Sequence, residues 1–278
     1  MSSALLLLAL AAATPTTVKA DDGHPLTVWV KQGGKKPIGT VVLVHGRTWS
    51  AVPDFDLPGY STIDALAARG YTVYAIDLRG YGKTPRDASG WFTLNRGAAD
   101  VLAVIATLKQ KPVLVGWSMG SLVSQLVAQQ APDKLAGVVL YGYAWDPDTK
   151  LDAAEPKEPE KKPNTAEAAA EDFQVPGTPK ALIDAYVKSA LLADPVKVDL
   201  NERKQLQALD GAKVTTPTLI VQGEKDPYAT TASISKLWSK LATPHRQWVV
   251  LPATDHAAHL EKPAAFIDAL VAFERSLR

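Results

Sequence analysis

Short apolar runs recur along the chain and indicate strands. Residues 26–30 and 40–44 are the first two, and the second of them, TVVLV, has no charged position. A continuous run of this kind is typical of a strand that is buried on both faces of a sheet. Further strands are predicted over 72–76, 112–116, 135–141, 218–222 and 247–251.

The segments between these runs carry apolar residues at helical spacing. Helices are predicted over 63–68, 97–108, 119–130, 229–241 and 264–276. Strands that alternate with helices of this length need crossover connections, which make the strands parallel and place the helices on the faces of the sheet. The pattern therefore predicts an α/β fold with a mostly parallel sheet.

The alternation stops between Tyr143 and Gly211. Residues 146–163 are rich in proline, lysine and acidic residues, and they predict a solvated loop. Helical segments are predicted over 165–173, 178–192 and 201–209. This insertion leaves the sheet at a carboxyl edge, where ligands bind in open α/β sheets, so residues 144–210 are predicted to form a cap or lid. A surface excursion unrelated to substrate is the alternative. The predicted α/β core then comprises residues 21–143 and 211–278.

The first twenty residues differ from the rest. Ala4–Ala13 is an apolar run that is too short to span a bilayer but is typical of the central region of a signal peptide. Val18-Lys19-Ala20 offers a cleavage site, although Met1–Ser3 contains no lysine or arginine. We expect residues 1–20 to be removed on export, which makes the protein secreted or periplasmic. A disordered leader or a packed N-terminal helix is the alternative, and the protein is then cytoplasmic.

Composition narrows the class of partner. The 278-residue chain has a formal net charge of +1 and 46% hydrophobic residues, enough for a large core. Nucleic-acid binding needs a surplus of basic charge on one face, so no nucleic-acid partner is expected. No lysine-rich amphipathic helix favours stable membrane binding. The lack of cysteine excludes disulfides, thiolate catalysis and cysteine-ligated metals. A small-molecule substrate is expected.

The strongest chemical signal is the sequence GWSMG at 116–120. It fits G-x-S-x-G and lies directly between a predicted strand and a predicted helix, which is the setting of a nucleophilic serine. The serine hydroxyl is exposed on such a turn, and the helix N-terminus directs amide N–H groups at the same point. Ser118 is therefore the predicted nucleophile. A tight turn that merely contains serine is the alternative.

A serine hydroxyl needs a base to take its proton. Of the five histidines, His256 and His259 follow the last predicted strand, as the order serine, acid, histidine requires. His256 is nearer to the strand end and is the predicted base, whereas His259 is expected to pack or cap locally. A metal site at this pair lacks a third ligand at a known spacing, so no metal is expected.

The base needs an acid that fixes its tautomer. Asp226 follows the predicted strand 218–222 and is the first candidate. Glu224 lies in the same loop, and Asp146 also follows a strand end, so both remain alternatives. Asp255 is adjacent to His256 in sequence and is poorly placed to face its ring.

Two backbone amides are predicted to bind the oxyanion. Gly46 follows the strand 40–44 and allows a close backbone approach, so the amides of Arg47 and Met119 are the expected donors. His45 is expected to be structural. Trp49, Trp117 and Trp145 lie near the predicted site and line an apolar pocket or belong to the ordinary core.

Residues 82–84, GKT, end like a phosphate-binding loop. The full pattern G-x-x-x-x-G-K-[ST] requires glycine at position 77, where this chain has Asp77. No G-x-G-x-x-G motif follows the first strand either. The sequence therefore predicts no nucleotide site.

These motifs together resemble the α/β-hydrolase superfamily, in its serine esterase and lipase-like branch. They are HGR at 45–47, DLRGYG at 77–82, GWSMG at 116–120, QGEKDP at 222–227 and DHAAHLEKP at 255–263. The resemblance covers about residues 26–277. It implies a mostly parallel eight-stranded sheet with flanking helices, a helical cap over a buried acyl pocket, and activity without a cofactor. In relatives with the H-x-x-H-L-E-K-P ending the first histidine is catalytic, which implies His256. Aspartate replaces the serine in haloalkane dehalogenases and epoxide hydrolases, so those branches are disfavoured.

The expected reaction is hydrolysis of a carboxylic ester through an acyl enzyme on Ser118. Peroxide-dependent perhydrolysis of the cofactor-free haloperoxidase type, and cleavage of lactones, thioesters or amides, remain open because they use the same triad. A non-catalytic ligand-binding protein on a hydrolase scaffold is the alternative of another class.

Overall fold

The computed structural model describes residues 12–151 and 154–278. Most of the apolar run at 4–13 therefore lies outside the described residues. Within them, no helix is long and apolar enough to cross a membrane.

The described residues form ten strands: β1 Thr14–Lys19, β2 Pro25–Lys31, β3 Gly39–Val44, β4 Tyr71–Asp77, β5 Trp91–Phe92, β6 Val113–Trp117, β7 Gly137–Tyr141, β8 Asp199–Leu200, β9 Thr218–Gly223 and β10 Arg246–Leu251. Eight of them form one sheet in the order β1-β2-β4-β3-β6-β7-β9-β10, and β5 and β8 form a separate pair. β2 runs antiparallel to both β1 and β4, and the neighbours from β4 to β10 are parallel. The predicted eight-stranded, mostly parallel sheet is confirmed.

Helices cover both faces of this sheet. They are α1 Ala51–Phe55, α2 Thr62–Ala68, α3 Leu94–Ala106, α4 Met119–Gln130, α5 Ala166–Ala170, α6 Lys180–Ala193, α7 Thr231–Lys240, α8 Ala258–Glu261 and α9 Pro263–Ser276, with 3₁₀ turns at Pro132–Lys134, Arg203–Ala208 and Gly211–Lys213. Side chains of the central strand β3 alternate between two cores. Val42 and Val44 join the core under α3 and α4, whereas Val41 and Leu43 join the core under α2 and α9. Both cores bury a strand face, as the uninterrupted apolar run predicts.

β1 lies within the segment that is predicted to be a signal peptide. It pairs with β2 along its whole length, from Thr14 opposite Val30 to Lys19 opposite Pro25. The sequence-based fold did not include it, because an export segment is set aside before strands are assigned. Cleavage after Ala20 would remove this edge strand and leave β2 with an unpaired edge. Export itself stays a prediction.

The insertion between β7 and β9 carries α5, α6 and β8. β8 pairs in parallel with β5, which belongs to the core, through Trp91 opposite Asp199 and Phe92 opposite Leu200. This two-residue ladder was not predicted, because two-residue strands leave no periodic pattern. The pairing of β8 with β5 attaches the C-terminal part of the insertion to the core.

Helix α6 fixes the insertion at a second place. The Tyr186 hydroxyl donates to Asp54 Oδ1 at 2.9 Å, and both side chains are fully buried. At the end of the helix, the two carboxylate oxygens of Asp194 accept from Ser50 N at 2.8 Å and from Gly82 N at 2.7 Å. Buried polar groups are costly to leave unpaired, so these contacts favour one position of α6 on the core.

We predict that Tyr186→Phe lowers the free energy of unfolding by about 1–3 kcal/mol, because it leaves a buried carboxyl group of Asp54 without its partner. Urea unfolding followed by circular dichroism measures the change. Tyr74→Phe is the matched control, since the Tyr74 hydroxyl makes no hydrogen bond within the described residues. Equal unfolding midpoints for the two variants would contradict the prediction.

Candidate active site

Ser118 occupies the turn between β6 and α4. Its backbone has φ 53° and ψ −119°, a conformation that costs energy for any residue with a Cβ. Its amide donates to Tyr141 O at 2.9 Å, which continues the pairing of β6 with β7 by one residue. The turn is thus held by the sheet on one side and by the first turn of α4 on the other.

Two glycines allow this turn to be so tight. A Cβ at Gly116 would lie 2.1 Å from Gly120 O, and a Cβ at Gly120 would lie 2.2 Å from Val44 O. Either side chain would force α4 away from the strands. The spacing G-x-S-x-G is therefore a packing requirement of this crossing.

His256 and Asp226 form a buried pair. His256 Nδ1 is 2.8 Å from Asp226 Oδ2, and Asp226 Oδ1 accepts from the amides of Tyr228 at 2.9 Å and Ala229 at 3.0 Å. With these donors the carboxylate stays an acceptor, so His256 Nδ1 carries the proton and Nε2 is left to exchange one.

The pair also sets the protonation of both groups. Burial alone would lower the pKa of His256, but the hydrogen bond and charge of Asp226 outweigh it and raise that pKa. Burial alone would raise the pKa of Asp226, but the hydrogen bond to His256 and the two amides lower it. Asp226 is therefore ionised at neutral pH, and His256 is a stronger base than free imidazole.

The loops that carry this pair cross closely. A Cβ at Gly223, the last residue of β9, would lie 2.1 Å from Asp255 O. Just beyond it, Lys225 N donates to Thr254 O at 2.8 Å. The close contact of the two loops brings Asp226 within hydrogen-bond distance of His256 Nδ1.

The other candidate acids face elsewhere. Glu224 Oε2 accepts from Ala253 N at 2.7 Å, and Asp146 pairs with Lys236 at 2.7 Å. Asp255 accepts from the amides of His256 and Gln174 through its two oxygens. Among these carboxylates, only Asp226 contacts the imidazole ring.

The other two buried histidines have both ring nitrogens engaged. His45 Nε2 accepts from Leu78 N at 2.9 Å, so Nδ1 donates to Gly46 O at 2.8 Å. His259 Nε2 donates to Asp54 O at 2.7 Å, and its Nδ1 lies 3.0 Å from the Tyr141 hydroxyl. Burial lowers the pKa of His45 to about 4 and that of His259 to about 3. Both rings are therefore neutral at neutral pH, and their hydrogen bonds connect neighbouring segments of the core.

Arg47 and Met119, the predicted oxyanion donors, line the cavity together with Ser118. A Cβ on Gly46, the residue before Arg47, would lie 3.4 Å from Ser118 Cβ, and Gly46 N donates to Asp54 Oδ2 at 3.1 Å. Within residues 12–151 and 154–278, neither the Arg47 nor the Met119 amide donates to a protein acceptor. Both N–H groups are therefore available to a bound oxygen, as the prediction of an oxyanion hole requires.

A cavity of about 530 Å³ contains these groups. Ser118, His256, Arg47 and Met119 all line it. Its apolar wall consists of Trp49, Leu94, Trp117, Leu122, Leu200 and Leu206. Charged side chains of the insertion complete the rim.

The prediction for Trp145 is corrected. Ala144 lines the cavity, but Trp145 does not, and its side chain packs in the core on the α4 side of the sheet. Gly142, with φ 55°, turns the chain after β7 and allows a close approach to the His256 ring. After this turn Trp145 points into the core. Trp49 and Trp117 line the cavity as predicted.

Among the cavity residues that the sequence analysis did not indicate, Asp172 and Tyr228 carry titratable groups. Asp172 lies in the turn after α5, and Tyr228 is two residues after Asp226. Nothing in the spacing of Asp172 marks it, because it belongs to the turn after a short alanine-rich helix. The position of Tyr228 directly after the acid loop was a usable signal.

Residues 77–84 resemble a phosphate-binding sequence, but the side chain of Asp77 occupies the inside of this loop. Asp77 accepts from the amides of Lys83 and Ala51, each at 3.0 Å. A Cβ at Gly82 would lie 2.5 Å from Asp77 Oδ2. This loop is built around Asp77 and positions α1.

Known proteins share this fold and this length. A model of the alpha/beta hydrolase family matches residues 41–269. The chain is similar to 2-(acetamidomethylene)succinate hydrolase of Mesorhizobium japonicum, with 25% identity over 279 residues, 89% of this chain and 91% of the relative. It is also similar to a pimeloyl-(acyl-carrier protein) methyl ester esterase of Pectobacterium carotovorum, with 26% identity over 263 residues, 85% of this chain and 94% of the relative. A solved hydrolase from Pseudomonas aeruginosa PA01 superimposes with a TM-score of 0.71 at 21% identity, over 95% of this chain and 99% of that one. The chain therefore belongs to the alpha/beta hydrolase family.

Proposed function

We propose that the protein hydrolyses carboxylic esters through an acyl enzyme on Ser118. The observation that carries the proposal is the buried His256–Asp226 pair, which shares one cavity with a serine on a strained turn. A binding protein has no need of a base with a raised pKa beside such a serine.

The proposed reaction has two halves. His256 Nε2 takes the proton of the Ser118 hydroxyl as its oxygen attacks the ester carbonyl, and the amides of Arg47 and Met119 bind the negative carbonyl oxygen. The imidazolium then gives its proton to the leaving alcohol. In the second half, His256 takes a proton from water and the hydroxide attacks the acyl carbonyl. The imidazolium then returns that proton to the Ser118 oxygen as the acid leaves.

The cavity wall supports an acyl group of appreciable size. Four leucine and two tryptophan side chains supply apolar wall in the cavity that contains Ser118, and its volume of about 530 Å³ is in the range of small-molecule sites. The similarity to a methyl ester esterase supports ester cleavage as the reaction. The pimeloyl group belongs to the substrate of that relative and is not part of this proposal. Hydrolysis of lactones, thioesters or amides and peroxide-dependent acyl transfer use the same catalytic groups. Activity assays with a panel of these substrates distinguish the reactions.

We predict that Ser118→Ala lowers the hydrolysis of p-nitrophenyl esters by about 10³-fold or more, because no other nucleophile can form the acyl enzyme. A series of esters from acetate to dodecanoate gives kcat/KM for both proteins and sizes the acyl pocket. Ser235→Ala, an exposed serine on α7, is the control for serine loss.

A fluorophosphonate probe tests the same residue without turnover. It should label Ser118 in the folded protein and leave Ser118→Ala unlabelled. Retained activity in Ser118→Ala, or no labelling of wild type, would exclude the acyl-enzyme mechanism.

We also predict a specific pH dependence. His256 must be neutral to accept a proton, so kcat/KM falls as the pH drops through its raised pKa. In Asp226→Asn the charge that raises this pKa is gone while burial remains, so the acidic limb moves to lower pH. The maximal rate falls by about 10⁴-fold, the scale known for the equivalent change in serine proteases.

Glu224→Gln is the matched control, because Glu224 lies in the same loop but contacts Ala253 instead of His256. Its pH profile should follow that of wild type. If Asp226→Asn keeps both the wild-type rate and the wild-type limb, Asp226 is not the acid of this site.

A further inference from the structure

Asp172 lies beside His256 on the cap side of the cavity. It follows α5 and lines the cavity together with Ser118, His256 and Tyr228. Its backbone carbonyl accepts a hydrogen bond from Ala257 N at 3.4 Å. The end of α5 therefore rests on the loop that carries the histidine.

The carboxylate of Asp172 has no partner among the described residues. It takes part in no hydrogen bond or ion pair there, and the residue is half-buried in the cavity wall. Burial raises the pKa of Asp172 to about 6, His256 opposes this effect, and the charges of Asp226, Asp255 and Glu171 add to it. A half-buried carboxylate without a protein donor is open to a group that enters the cavity.

An aromatic ring adjoins this carboxylate. The ring of Tyr228 packs edge-on against His256, with centroids 4.9 Å apart, and 46% of the residue is exposed. Asp172 and Tyr228 line the same cavity, and after burial the charge of Asp172 does most to raise the pKa of Tyr228. An aromatic face next to a carboxylate is the combination that binds ammonium groups, through cation–π attraction and charge.

Four cationic side chains line the cavity: Arg47, Lys162, Lys197 and Arg203. Lys162 pairs with Glu160 at 2.8 Å and Arg203 pairs with Glu155 at 3.4 Å, whereas Arg47 and Lys197 form no ion pair within the described residues. None of the four is among the groups with the largest effects on Asp172. The charges that act most strongly on Tyr228 are all acidic, so the surroundings of its ring are locally negative.

The position of this space decides which part of a substrate reaches it. His256 protonates the leaving alcohol, so the alcohol lies on the His256 side of Ser118, whereas the apolar wall receives the acyl chain. We propose that Asp172 and Tyr228 form a subsite for an ammonium group on the alcohol part of the ester. This inference rests on the proposed function and adds a substrate class to it.

A pair of esters of equal shape tests the subsite. Acetylcholine and its uncharged carbon isostere, 3,3-dimethylbutyl acetate, differ only in the ammonium charge. At about pH 8, where Asp172 is ionised, wild type should favour acetylcholine in kcat/KM by about tenfold or more. Asp172→Asn should bring the ratio of the two values close to one.

The ratio isolates the subsite from the chemistry. Any change that Asp172→Asn makes in the reactivity of His256 affects both esters alike and cancels. Asp184→Asn removes the same charge from an exposed site on α6, outside the cavity wall, and should keep the wild-type ratio. A wild-type ratio near one, or a ratio unchanged in Asp172→Asn, overturns the subsite while p-nitrophenyl ester hydrolysis still supports the proposed function.

A binding measurement separates the two proposals fully. Titration calorimetry with phenyltrimethylammonium needs no turnover. Wild type should bind it at least about tenfold more tightly than Asp172→Asn does, even if no ester is cleaved. Equal affinities, or no binding to wild type, overturn the subsite on their own.

Discussion

The tight crossing of β6 and α4 at Ser118 is the constraint on which the site depends. Ser118 keeps its strained backbone because the sheet fixes one side of the turn and the helix fixes the other. The space needed for this exists only because Gly116 and Gly120 lack side chains. The same geometry starts α4 at Met119, directly after the serine. The proposed nucleophile and one of its proposed oxyanion donors therefore follow from a single packing arrangement.

The insertion is fastened to the loops that surround this crossing. Tyr186 donates to Asp54, whose second oxygen holds Gly46 N next to the predicted donor Arg47. On the other side, Gln174 N donates to Asp255 in the histidine loop at 2.6 Å. A rigid-body opening of the insertion would break hydrogen bonds to buried carboxyl groups, at about 1–3 kcal/mol each. The insertion thus stabilises the loops around Ser118 and His256 and contributes residues to the cavity wall.

The fold was largely predictable, because buried parallel strands are the strongest signal that a sequence gives. All seven strands predicted from apolar runs are present, and the segment Gly116–Gly120 lies between a strand and a helix as predicted. The missed elements have physical reasons. The ladder of β5 and β8 is two residues long, and α1 has only five residues, so neither leaves a periodic pattern. For Trp145 the sequence left both pocket and core open, and the fold places it in the core after the positive-φ turn at Gly142.

Side-chain partners were the least predictable feature, and three carboxyl groups, two of them buried and one half-buried, show why. Asp226 receives two amides and an imidazole, and it is ionised. Asp54 receives one amide and one hydroxyl, and burial raises its pKa well above the ordinary value. Asp172 receives no donor and borders the cavity. In sequence these are three aspartates near the ends of helices or strands, and nothing local distinguishes them. What each one does depends on the groups that the fold brings to it: Asp226 orients a base, Asp54 positions a loop, and Asp172 is left to interact with whatever enters the cavity.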